Sequence, residues 1–242
     1  FLIKHLAKPD WQKSQPDIWM QITIPNEFQP VGKYSIGLTA GIEATAAKPE
    51  WVEGMNRMHM NWVSSEFTKT NFKNMIFEKK DPKTQQIIGQ VKLEKPIHTV
   101  FEGVNLDTYK TISPKEIKTI KLGDIPEQFC YLFIGHWMEG ELGHDRKNVG
   151  LLVKLFYETF KNKIGKRPAL ILKTTTGVAS YISRDQILNK IKAVRKTVNS
   201  TNLPNIYLLH GEFDDSEVNE LYNHPKVKAM VSLTKGEGFG RP

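Results

Sequence analysis

Lys235-Gly236-Glu237-Gly238-Phe239-Gly240-Arg241-Pro242 sets three glycines and a carboxylate directly after an apolar run, Val227 to Leu233. Glycine gives a core nothing to pack and loses more conformational freedom on folding than any other residue. A loop of this kind suits close approach of a ligand to the backbone N–H groups of Gly238, Phe239 and Gly240. Glu237 is placed to accept from a ligand's hydroxyls or amines.

A second constellation pairs Gly135 with Arg146-Lys147-Asn148. An apolar run ends in glycine, a loop follows, and two cations stand where the next helix should begin. Free N–H groups and the macrodipole make a helix start attractive to anions, and a guanidinium can bind two oxygens of one phosphate. The combination reads as a diphosphate cradle; the plainer alternative is a pair of exposed cations near a helix start.

Lys173 and His210-Gly211-Glu212 end two further apolar runs, and a loop such as the latter can read a flat base through its backbone. Lys173 is equally a common strand-ending lysine, and His210 equally a satisfied, half-buried histidine. In the first half, Gly41 and Glu43 follow a strand and offer backbone access and an acceptor contact. Trp51, Trp62 and Trp137 could stack on sugars, or serve the core. The seven histidines show no metal-ligand spacing, no nucleophile elbow occurs, and Cys130 abuts the apolar run Tyr131 to Ile134 as a core residue. No metal or other cofactor is expected.

These residues need a scaffold that brings strand ends together. Tyr131–Gly135, Ala169–Leu172, Asn205–Leu209 and Val227–Leu233 read as strands. Between them, apolar residues at helical spacing mark helices over 148–163, after a cap at Ser183-Arg184-Asp185, and from Asp214 through Tyr222. Strand–helix alternation with short connections implies a parallel sheet covered on both faces. The first half reads similarly: strands over 18–24, 34–38, 61–64 and 99–101, a helix over 50–60, and a polar surface excursion over 77–92. The expected organisation is α/β: two Rossmann-like parallel-sheet domains, at 1–107 and 128–242, with a linker at 108–127.

The 242-residue composition, 39% apolar and 25% charged, is that of a globular chain, and no run approaches a membrane span. A single cysteine leaves no internal disulfide framework and fits a reducing, cytoplasmic setting. The net charge of +8 reads as a lysine-rich solvated surface, or as a surface for a membrane or an anionic acceptor. No RNA-binding or zinc pattern accompanies it, so nucleic acid is not an expected partner.

Four segments resemble the retaining, nucleotide-sugar-dependent glycosyltransferases of the large "group 1" family, which has the GT-B fold. Trp62-Val63-Ser64-Ser65-Glu66-Phe67 resembles its V-x-S-x-F segment, and Val100-Phe101-Glu102-Gly103-Val104-Asn105 its P-N-G-V-D turn. Phe133-Ile134-Gly135 with Arg146-Lys147-Asn148 resembles its G-R…K-G donor-phosphate element, with His136 in place of the arginine. Glu237 to Pro242 is similar to E-G-F-G-L-P, the opening of its E-x7-E motif.

The resemblance implies transfer of a sugar from a nucleotide-sugar donor to an acceptor that is a glycan, lipid or protein. Arg146 and Lys147 would neutralise the donor diphosphate, Lys173 would assist, and the backbone at His210 to Glu212 would hold the base. Glu237 would contact sugar hydroxyls, with Gly238 and Phe239 near the diphosphate or sugar, and Glu43 would line the acceptor side. The second Glu of E-x7-E would lie past Pro242. The resemblance therefore also implies an incomplete or reduced chain, one able to self-associate through exposed sheet edges. The alternatives left open are another GT-B enzyme, such as an epimerase, and a nucleotide-sugar-binding or interaction protein without turnover.

Overall fold

A computed structural model describes residues 15–41, 45–140 and 142–237. The chain divides into two compact units, the first reaching Gly103 and taking in Glu237 as well, the second running from Val104 to Gly236.

In the first unit, β1 (Ile18–Ile22), β2 (Tyr34–Thr39), β3 (Met60–Val63) and a later strand, Ile97–Thr99, form a parallel sheet in that spatial order. Helices α1 (Pro49–Arg57) and α2 (Glu66–Asn74) bury Val52, Met55 and Phe72 against Val63 and Ile97. Gly54 of α1 lies so close to the turn below that a Cβ there would sit 1.8 Å from the Pro25 carbonyl oxygen. Only glycine allows that approach. Ile18, Met20 and Ile22 of β1 stay exposed.

Two features here differ from expectation. Residues 77–92 are not a bare excursion: β4 (Ile76–Lys80) and β5 (Ile87–Lys92) pair as an antiparallel hairpin. Its turn is held by Asp81 Oδ1, which accepts from the N–H groups of Lys83 and Thr84, both at 2.8 Å. Helix α2 is the second. Ser65 caps it, its Oγ accepting from the Thr68 N–H at 3.2 Å, yet only Thr68 and Phe72 are buried, too sparse a stripe to show as periodicity. Ile97–Thr99, which follows the hairpin, is β6.

The second unit holds β7 (Cys130–Ile134), α3 (Val149–Phe160), β8 (Ala169–Lys173), α4 (Tyr181–Lys196), β9 (Ile206–Leu209), α5 (Asp215–Asn223) and β10 (Val227–Met230). The strands are all parallel and lie in the order β10-β7-β8-β9. Both faces are covered, as alternation demands of a parallel sheet. Phe133, Leu170 and Leu172 point to α3 and α4, where they meet Val153, Phe156 and Ile187. Cys130, Leu132 and Ile171 point the other way, to Leu221 of α5 and to Ile120, Leu122 and Ile125. Cys130 is fully buried, and burial pushes its thiol pKa up, which fits its core reading.

The cap of α4 is Ser180, not the Ser183-Arg184-Asp185 stretch; Ser180 Oγ accepts from the Ser183 N–H at 3.1 Å. Asp214 caps α5 as expected and forms a capping box with Glu217. The stretch 108–127, expected to be a linker, belongs to the second unit and is laced onto α5. Asn219 and Asn223 bond the backbone of Lys110 and Ile112, and Glu220 accepts from the N–H groups of Lys118, Thr119 and Ile120 at 3.2, 2.8 and 2.9 Å. Its lysines made it read as solvated chain, while its sparse isoleucines and leucine are what cover the sheet.

Candidate functional site

Because β7, β8, β9 and β10 are parallel, their carboxyl ends share one edge. Numbered within the unit, the order is 3-2-1-4: the second and third strands build out on one side of β7, and the fourth, β10, returns on the other. Between β7 and β10 the sheet reverses its direction of growth, which is where open α/β sheets bind ligands.

Two of the expected constellations meet at that reversal. The backbone N–H of Lys235 donates to the Arg146 carbonyl at 3.0 Å, and Arg146 Nη1 donates to the Gly236 carbonyl at 3.1 Å. Asn148 Nδ2 donates to the Leu233 carbonyl at 2.8 Å. The loop entering α3 is thus stitched to the start of the glycine-rich tail. Arg146 is exposed, whereas Lys147 is buried, its Cε 4.0 Å from where a Cβ on Gly135 would lie. Glu237 follows Gly236 and is half-buried. Gly238, Phe239 and Gly240, and with them the rest of the tail, lie outside the described residues, as does Glu43.

The start of α3 differs from a vacant anion site. Asp145, 1% exposed, caps it: Oδ2 accepts from the Val149 N–H at 3.0 Å. Its other oxygen has no hydrogen-bond partner among the described residues. Asn148 takes a left-handed backbone, φ 52°, which gives this helix no ordinary side-chain cap. Sequence reading overlooked Asp145 because it stands four residues before the N–H it satisfies. What remains for an anion at this end is the cationic side chains more than the helix dipole.

A cleft of about 410 Å3 runs along the neighbouring strand ends, lined by Gly135, Lys173, Thr175, Gly177, Gly211 and Glu212. Lys173 spans it: Nζ donates to the Gly211 carbonyl at 2.6 Å and lies 4.3 Å from the centre of the Phe213 ring. Burial lowers its pKa, against the opposing pull of Glu212 and Glu217. His136 pairs Nδ1 with Thr175 Oγ1 at 3.0 Å. His210 pairs Nε2 with Ser183 Oγ at 3.2 Å, and the same hydroxyl serves Thr176. Burial, then Lys173 and Arg184, lowers the His210 pKa. Sequence reading singled out neither Thr175 nor Ser183 as a rim partner, since hydroxyls in a Thr- and Ser-rich stretch carry no spacing signal.

The structure therefore brings Gly135, Lys173, Gly211 and Glu212 into one cleft, with His210 beside them and Arg146 and Lys147 on the β10 side of β7. Gly41 belongs to the first unit. Its φ of 96° and the Thr68 side chain, which a Cβ would meet at 2.3 Å, account for the glycine. Trp137 is buried, Trp51 stacks on Phe72, and Trp62 Nε1 donates to Met60 Sδ; all three have packing partners. Among the described residues no group of three His, Cys, Asp or Glu is placed to hold a metal, and no helix is long and apolar enough to cross a membrane.

The second unit thus defines a class: a Rossmann-like parallel α/β sheet with a polar, partly cationic carboxyl edge. No family matches the chain, and no curated protein does. Among solved structures it is similar to one described as trehalose-6-phosphate from E. coli bound with UDP-2-fluoro glucose (14% identity over 93% of this chain and 54% of that one, TM-score 0.45). It is also similar to an α,α-trehalose-phosphate synthase (UDP-forming) from Burkholderia xenovorans in complex with glucose-6-phosphate (13%, 79% and 45%, TM-score 0.46). A third is the Candida albicans trehalose-6-phosphate phosphatase N-terminal domain (12%, 92% and 50%, TM-score 0.46). The chain spans about half the length of these structures. Likenesses this distant assign no residue roles here.

Proposed function

We propose that the carboxyl edge of the second unit binds the nucleotide part of a nucleotide-sugar donor, and that the chain belongs to a GT-B glycosyltransferase of the retaining kind. The observation that carries this reading is the stitching of the Arg146 loop to the start of the glycine-rich tail at the point where the sheet reverses. Two segments some ninety residues apart, each singled out by its chemistry, are held together where α/β sheets take ligands.

In this reading Arg146 and Lys147 hold the diphosphate, whose charge grows as the sugar departs. Fixed cations at a position of developing charge stabilise the transition state more than the ground state. The cleft floored by Gly135 and Gly211 takes the nucleoside, with Lys173 fixing the loop that closes it. Glu237 accepts hydrogen bonds from donor sugar hydroxyls, and Gly238 and Phe239 lend N–H groups. The acceptor is a glycan, lipid or protein, with Gly41 and Glu43 proposed among the residues that contact it. Attack from the face that the diphosphate leaves gives retention with no protein nucleophile, and no residue is assigned one.

Calorimetric titration with UDP, GDP, ADP and their sugar conjugates tests the donor site. Saturable binding to one nucleotide series is expected, and a folded sample that binds none would refute it. Release of free sugar or its transfer, followed with the conjugate that binds, then separates an enzyme from a binder without turnover.

A further inference from the structure

At the opposite, amino-terminal edge of the same sheet, the loop between α3 and β8 presents an isoleucine to solvent. Ile164 is 95% exposed, more than any other large apolar residue among those described. The loop around it is fixed. The Asn162 N–H donates to the Asn202 carbonyl at 2.9 Å, and Ser200 Oγ donates to Asn162 Oδ1 at 2.8 Å. Arg167 Nη1 reaches Asn202 Oδ1 at 2.6 Å and the Leu203 carbonyl at 3.2 Å. Left-handed backbone at Asn162 (φ 58°) and Gly165 (φ 84°) turns the chain out and back. An apolar side chain held at the tip of a braced loop keeps its exposure, because the loop has no slack to fold it away.

Its surroundings are cationic and aromatic. Exposed Lys163 and Lys166 flank Ile164 and line, with Arg167, a cleft of about 670 Å3 shared with Phe129, Tyr131 and Phe160. Phe129 is 44% exposed. The Ser200–Asn162 bond joins this loop to the turn after α4, whose last residues include Arg195 and Lys196. From residue 161 to 211 the only acid in the sequence is Asp185, and Arg184 pairs with it. The one acid that lines the cleft, Glu127, is engaged by Asn205 and Tyr207.

We infer that this edge docks on an anionic lipid surface, Ile164 and Phe129 entering the headgroup region and Lys163, Lys166, Arg195 and Lys196 facing the lipid charge. An apolar tip with a ring of cations is the pattern of interfacial binding, and each basic residue near such a surface adds a similar increment. Because the docking face lies at the amino ends of the strands, the carboxyl edge stays open. The inference does not depend on the donor-site reading.

The test is co-sedimentation of the chain with vesicles of phosphatidylcholine alone or mixed with phosphatidylserine, at low and high salt. Binding to the mixed vesicles only, weakened by salt, is expected. The Lys163→Gln, Lys166→Gln pair should lower the partition coefficient about 25-fold, at about 5-fold per lysine. Ile164→Ser should lower it about tenfold. All three side chains are exposed, so the thermal midpoint serves as a folding control and should not move. Equal binding to both vesicles, no binding at low salt, or variants that partition like the parent would overturn the inference. So would single-stranded oligonucleotide binding that the variants lose while vesicles are ignored, which would assign the surface to nucleic acid.

Discussion

Lys235 and Arg146 are joined backbone to backbone: the Lys235 N–H donates to the Arg146 carbonyl at 3.0 Å. Arg146 completes the link with its own side chain, which reaches the Gly236 carbonyl at 3.1 Å. One residue thus supplies both a charge at the reversal point of the sheet and the fastening that sets the tail beside it. Loss of the side chain should therefore be felt in binding more than its charge alone would suggest.

Arg146→Ala should weaken binding of the preferred nucleoside diphosphate by about 2 kcal/mol, the range for a charge-assisted bond lost from a partly exposed site. Arg146→Lys should recover only part of this, because an ammonium keeps the charge without the planar fork. Calorimetry decides it; a loss below about 0.5 kcal/mol for the alanine variant would remove Arg146 from the cradle.

Glu237→Ala should leave free nucleotide binding near the parent value while flattening the differences among nucleotide-sugars. The carboxylate is proposed to touch only the sugar. Equal losses for a nucleotide and for its sugar conjugate would refute that role.

Gly54→Ala should destabilise the first unit by about 2–4 kcal/mol, since the added methyl meets a backbone carbonyl that cannot turn aside. Chemical denaturation followed by the fluorescence of Trp51, three residues away on α1, reports it. A change within about 0.5 kcal/mol would mean that α1 does not press on the 25–27 turn as described.

Glu220→Ala should loosen the 118–120 stretch from α5, because three backbone N–H groups lose their acceptor. The carboxylate is partly solvated, so the cost should be about 1–2 kcal/mol, less than three buried bonds would give. Amide exchange at Lys118, Thr119 and Ile120 should accelerate; unchanged protection there would contradict the lacing.

Acidification offers a different readout. Burial lowers the pKa of His210 and of His224 below the ordinary 6.5. The unfolded chain therefore takes up these protons first, and stability falls as the pH drops through about 6.5 toward the folded-state values. The thermal midpoint of the second unit should decline between about pH 7.5 and 5.5, above the range where carboxylates titrate. Replacing both histidines with glutamine should flatten that decline; an unchanged slope would show that other groups carry it.

The sequence alone determined the alternation of strands and helices in the second unit, because residues such as Leu132, Val153 and Ile187 repeat with the period of their element and every repeat faces a core. It also singled out Arg146, Lys147, Lys173 and Gly211 as strand-end or loop residues with chemistry to offer. Tertiary structure decided what each of these touches. Strand order has no trace in local periodicity, so only the fold could set β10 beside β7 and join Lys235 to Arg146. Asp145 carried no sequence signal, and only the turn brought it back onto the Val149 N–H. The lysine-rich 108–127 stretch became part of the second unit because Glu220 and Asn219, about a hundred residues on, satisfy its backbone. Short-range spacing records which face of an element is apolar; which backbone groups a distant side chain satisfies is fixed only when the chain has closed on itself.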